Sequence, residues 1–120
     1  MDITNIEKNT LLSNIIENSS FTKRQIQIIY KIYNKEKKPS DISAGAYYRE
    51  IKQCKEKIRK IYYSFIMLSL IGLLDNDRIT ALNSIAQRIY SLQEFSDINH
   101  DKKLDNVMDV IKLIIDKISL

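Results

Sequence analysis

Glycine and proline are nearly missing, with two Gly and one Pro among 120 residues. That scarcity argues against a turn-rich sandwich or barrel and against a Gly-rich phosphate loop. One Cys and one His exclude a disulfide scaffold and a structural zinc site built within one chain. No nucleophile–base pair, phosphate loop or metal set can be assembled from these residues, so the expectation is no enzyme, no cofactor and a function in binding. The N-terminus, Met1-Asp2-Ile3-Thr4, lacks the positive stretch and apolar run of a signal peptide. The most apolar stretch, residues 61–74, is uncharged but only 14 residues long, whereas a span of hydrocarbon needs about 20. A buried core helix in a cytoplasmic protein is expected, with Cys54 reduced.

What the chain does have is unevenly placed charge. The formal net charge is +4. Residues 1–20 carry one Lys against three acids, and residues 61–120 carry six Lys/Arg against eight acids. Residues 21–60 carry twelve Lys/Arg against four Asp/Glu. All the excess positive charge thus lies in one third of the chain, the pattern of a polyanion-binding face or of a solvated Lys-rich helix. The abundance of Ile (22), Lys (14) and Asn (nine) is what AT-rich codons would produce.

Apolar periodicity predicts helices throughout a single domain covering residues 1–120. Ile3, Ile6, Leu11, Leu12, Ile15 and Ile16 mark a first helix, ended by Asn18-Ser19-Ser20. Thr22 and Gln25 form a Thr-x-x-Gln capping box. Ile26, Ile29, Ile32 and Tyr33 then carry an amphipathic helix over residues 23–36, stopped before Pro39. Residues 40–44 are expected to form one short helical turn. Tyr47, Ile51, Cys54, Ile58, Ile61, Phe65 and Leu68 repeat at spacings of 4, 3, 4, 3, 4 and 3. They predict one long helix, or two joined near Ile61, whose apolar second half is buried on every side. Gly72 ends it. Residues 73–80 fit a small hairpin or a plain loop. Leu82, Ile85, Ala86, Ile89 and Tyr90 mark another helix, and a polar linker with His100 follows.

Residues 22–60 are the candidate site, read as a helix-turn-helix. With Tyr47, Ile51, Cys54 and Ile58 inward, about 100° per residue turns Arg49, Gln53, Glu56 and Lys60 outward, with Tyr48 and Lys52 on the flank. Arg can bond guanine and Gln adenine in a bidentate manner. Lys23, Arg24, Lys37, Lys38 and Lys57 are placed to grip phosphates, which positions a protein without reading sequence. The DNA-binding set is therefore Lys23, Arg24, Lys37, Lys38, Tyr48, Arg49, Lys52, Gln53, Lys57 and Lys60.

Two segments carry a resemblance. Phe21-Thr22-Lys23-Arg24-Gln25-Ile26, running to Tyr30, resembles the opening helix of LuxR and sigma-factor type helix-turn-helix domains. Tyr47-Tyr48-Arg49-Glu50-Ile51-Lys52, running to Ile61, and then Leu70-Ile71-Gly72-Leu73-Leu74-Asp75, is similar to the recognition helix and strand entry of small archaeal winged-helix DNA-binding proteins. It covers residues 21–80 and implies a recognition helix over about 46–60 and a wing over 73–80. Two departures stand out: the supporting helix is reduced to residues 40–44, and an extra apolar stretch separates the recognition helix from the wing.

The last helix, residues 103–119, carries Leu104, Val107, Ile111, Ile114 and Ile118 at spacings of 3, 4, 3 and 4. This stripe either covers the chain's own core or pairs with a second copy. Cys54 reads as an inert small hydrophobe and His100 as a solvated surface residue. Asp75 and Asp77 lack the Gly and Glu of a calcium loop. Asp101, Asp105 and Asp109 form the wet face of the last helix. The tyrosines other than Tyr48 are expected in a core or interface.

The expectation is an all-α helix-turn-helix domain, winged if residues 73–80 pair. It binds double-stranded DNA as a homodimer, as a transcriptional regulator or a chromosomal architectural protein, with no membrane partner and no small-molecule substrate. The competing class is a helical interaction or assembly protein that engages another chain through its apolar stripes.

Overall fold

Capping residues set most of the helix ends. The computed structural model describes residues 10–95 and 101–120, with side chains described for residues 10–92 and 106–120. Five helices and no strand occur among the described residues: α1 (Thr10–Glu17), α2 (Lys23–Tyr33), α3 (Ala44–Leu70), α4 (Asn76–Phe95) and α5 (Asp101–Ile118). The chain is all-α. It divides into two units, residues 2–63 and 64–120, with the boundary inside α3.

In the first unit, α1 buries Leu11, Leu12 and Ile16. Ile3 and Ile6 lie outside the described residues. The predicted capping box is formed: Thr22 Oγ1 accepts from the Gln25 amide at 3.1 Å, and Gln25 Oε1 accepts from the Thr22 amide at 3.0 Å. α2 stops at Tyr33, three residues short of the sequence expectation. Lys35 takes up φ 56° there, and the Glu36 and Lys35 amides close back on the carbonyls of Lys31 and Ile32 at 2.8 and 3.1 Å. This is a Schellman turn with a lysine where glycine is favoured.

Residues 40–44 form no helix of their own. They are turn and bend up to Ser43, whose hydroxyl accepts from the Ala46 amide at 3.2 Å and opens α3. Of the two arrangements left open for residues 46–68, one continuous helix is formed. The expected burial of its second half is not. Tyr62, Tyr63, Ile66, Met67 and Leu70 are 54–76% exposed. Within the first unit, length explains the exposure of Tyr62 and Tyr63. The 11 residues of α2 cover about 16 Å of axis, and the 27 residues of α3 extend about 40 Å. Tyr33, Tyr62, Tyr63 and Tyr90 are exposed, so of the two places expected for these rings, core or interface, they do not fill a core; a helical spacing orients a ring without providing anything to cover it.

In the second unit, α3 ends in another Schellman turn. Gly72, at φ 83°, and Leu73 donate to the carbonyls of Ser69 and Leu68 at 3.1 and 3.0 Å. The hairpin or wing considered for residues 73–80 is not formed. Residues 71–75 are a turn and residues 76–80 open α4. The polar Asp75-Asn76-Asp77 run acts as a helix start: Asp75 Oδ1 accepts from the Arg78 amide at 2.9 Å, and Asp77 sits near the positive end of the helix dipole. Arg78 also donates through Nε to the Ile118 carbonyl at 3.0 Å, tying the start of α4 to the end of α5. Met108 and Ile111 are buried.

Candidate nucleic-acid interface

The basic segment folds so that Gln25, in the first turn of α2, meets Cys54 and Lys57 on the inner face of α3. Cys54 is 2% exposed and Gln25 3%, and the Cys54 thiol donates to the Gln25 carbonyl at 3.8 Å. Burial, and then the Glu50 carboxylate, raise the Cys54 pKa, which keeps it protonated and unreactive. With Cys54 inward as expected, the opposite side of α3 faces solvent.

The ten cationic and polar residues picked from sequence divide into two groups. Tyr48, Arg49, Lys52, Gln53 and Lys60 are all exposed on α3. Among the described residues the only ion pair these five make is a weak one, Lys60 to Glu56 at 4.0 Å. The others are placed differently. Lys57 turns inward: its ammonium donates to the Ser20 carbonyl at 2.7 Å and to Gln25 Oε1 at 2.8 Å, and lies 5.9 Å from the centre of the Phe21 ring. Arg24 makes a two-pronged pair with Asp41 at 2.6 and 3.3 Å. Hydrogen bonding to Arg24 lowers the Asp41 pKa, and the same bond raises that of Arg24. Lys38 donates to the Ile42 carbonyl at 2.9 Å. Lys23 is half-buried, and Lys37 is exposed in the connection after α2.

Two residues of this face were missed in the sequence. Lys55 and Arg59 are exposed, and the projection that puts Cys54 inward places them about 100° and 140° away. With them the outer surface of α3 reads Tyr48, Lys52, Lys55 and Arg59 at spacings of 4, 3 and 4, flanked by Arg49 and Lys60. Five cations stand against one exposed acid, Glu56. Tyr48 is 70% exposed and meets the Tyr47 ring at 6.3 Å.

On α5, the apolar stripe picked from sequence faces largely into the chain. Ile111 is buried and Val107, Ile114 and Ile118 are half-buried, while Leu104 lies outside the described side chains. Val110 and Leu113 are the exposed apolar residues beside it. His100, Asp101 and Asp105 lie outside the described side chains as well. Among the described residues no group of three or more His, Cys, Asp or Glu could hold a metal ion, and no helix is long and apolar enough to cross a membrane.

The chain matches no family model, no curated protein and no solved structure.

Proposed function

We propose that the chain is a non-enzymatic double-stranded DNA-binding protein that docks the outer face of α3 against the duplex. The observation that carries this reading is the row Lys52, Lys55 and Arg59, with Arg49 and Lys60 beside it, exposed on one helix and facing away from the α2 contact. An α-helix fits the major groove, and cations along it replace counterions on the phosphates. Arg49 and Gln53 are the residues able to read base edges. The arrangement of α2, a ten-residue connection and α3 is a loose form of helix-turn-helix. Regulator and architectural protein remain the two versions, and they differ in how strongly sites are discriminated. A homodimer, which would double the contacts, is part of the proposal.

A gel-shift titration with random and genomic duplexes at two salt concentrations tests it. Affinity should fall steeply with salt, and the variant Lys52→Glu/Lys55→Glu/Arg59→Glu should not bind. Binding that survives this triple change rules the reading out.

A second reading, a helical interaction or assembly protein, is favoured by the exposed apolar residues at the end of α3, Tyr62, Tyr63, Ile66, Met67 and Leu70. Contiguous apolar exposure is a mark of contact surfaces. It predicts concentration-dependent association that Tyr63→Lys and Leu70→Lys suppress.

A further inference from the structure

The outer face of α3 carries rings as well as cations. Tyr62 follows Arg59 by three residues, so the row Tyr48, Lys52, Lys55, Arg59 and Tyr62 runs at spacings of 4, 3, 4 and 3. Tyr63 is next to Tyr62 in the chain. At about 100° per residue these residues share one sector, about 80–180° from Cys54, and Glu50 and Glu56 fall outside it. All three rings stand in solvent, Tyr48 at 70% exposure, Tyr62 at 66% and Tyr63 at 74%. Lys52, Lys55 and Arg59 between them are exposed too. The whole row lies within the first unit. From Tyr48 to Tyr62 is about 21 Å along the helix axis, the rise of about six stacked nucleotides of one strand.

A duplex would use the cations of this row but not its rings. In a paired, stacked helix each base face is covered by its neighbours, and a side chain in the major groove meets base edges. An unpaired base offers its face, and aromatic rings stack on any base. Cations set between rings suit the phosphates of such a strand. A lipid surface fits less well. A helix lying on a membrane separates its apolar and charged faces, whereas here rings and cations share one face. Burying Tyr48 and Tyr62 in lipid would bury Lys52, Lys55 and Arg59 with them. Resting on the reading of this face as a DNA interface, we propose that it also holds single-stranded DNA. The phosphates lie on Lys52, Lys55 and Arg59, and unpaired bases stack on Tyr48 at one end and on Tyr62 or Tyr63 at the other.

The test is fluorescence anisotropy of the full chain with labelled dT12, an abasic strand of equal length, rU12 and a 20-bp duplex. Tyr48→Ala/Tyr62→Ala/Tyr63→Ala removes the rings at exposed positions and leaves every cation. It should weaken dT12 by about tenfold or more and leave the duplex and the abasic strand within about twofold. Tyr48→Phe/Tyr62→Phe/Tyr63→Phe should bind dT12 as wild type does, since stacking needs the ring and not the hydroxyl. Unchanged dT12 affinity in the alanine variant overturns the proposal. So does a bound duplex beside unbound dT12, which leaves the duplex reading standing. Bound dT12 beside an unbound duplex overturns the duplex reading and supports this one, and failure of both probes overturns both. Tighter binding of rU12 than of dT12 overturns the proposal by assigning the strand to RNA. Binding of phosphatidylserine vesicles, lost in the alanine variant while no oligonucleotide binds, overturns it by assigning the face to a lipid surface.

Discussion

Lys57 donates to Gln25 across 2.8 Å on the inner side of α3. The contact removes one lysine from the solvent-facing charge and gives the nearly buried Gln25 carboxamide a cationic partner. Gln25 Oε1 serves two structures at once, since it also accepts the Thr22 amide that starts α2. Replacing Gln25 by Leu should cost about 1–3 kcal/mol, the penalty for leaving partly desolvated donors without an acceptor. The urea midpoint checks this. Because the residues touch, the double variant with Lys57→Met should be less destabilised than the two single changes added together.

DNA binding should have a salt dependence set by α3. If four or five cations of its outer face meet phosphates, the logarithm of affinity should fall against the logarithm of salt with a slope of about −4. Arg59→Ala should flatten the slope by about one. Arg24→Ala should leave it nearly unchanged, because Asp41 already holds Arg24 at 2.6 Å. Fluorescence anisotropy at four salt concentrations separates the two; an equal loss for both would place Arg24 in the interface.

The two Schellman turns predict changes of opposite sign. Gly72 stands at φ 83°, where a side chain is strained, so Gly72→Ala should destabilise by about 1 kcal/mol. Lys35 already bears that strain at φ 56°, so Lys35→Gly should stabilise by several tenths to about 1 kcal/mol. Thermal or urea unfolding of the pair measures both.

The Arg24–Asp41 pair should appear in the acid limb of stability. The Asp41 pKa is lowered in the folded chain. Its contribution is therefore present above the unfolded carboxylate value of about 3.9 and is lost as pH falls through the lower folded value. Asp41→Asn should flatten the stability profile below about pH 4 and leave its slope unchanged near pH 7. Because the carboxylate is exposed, the effect should shrink in added salt.

Asp75 caps α4 through the Arg78 amide. Asp75→Ala should cost about 1 kcal/mol. Arg78→Ala should add a second loss by freeing the Ile118 carbonyl, and amide exchange should then rise at the end of α5.

Local order was legible in the residues. The capping box at Thr22 and Gln25, the inward Cys54, the end of α3 at Gly72 and the all-α class all follow from spacing and chemistry within a few residues, where 100° per residue relates position to direction. Asp75-Asn76-Asp77 misled because a polar run can turn a hairpin or start a helix, and only hydrogen-bond geometry separates the two. Lys55 and Arg59 were recoverable from the same projection that placed Cys54. Direction along a helix is a local property, but burial is not. Lys57 is held inward because Ser20, Phe21 and Gln25, at and before the start of α2, come up to it, and Tyr62 and Tyr63 stay exposed because α2 is too short to cover the whole of α3. Which cations remain free on α3, and which rings stand exposed beside them, depend on how far each helix runs and what lies across from it, and so the tertiary structure alone decided them.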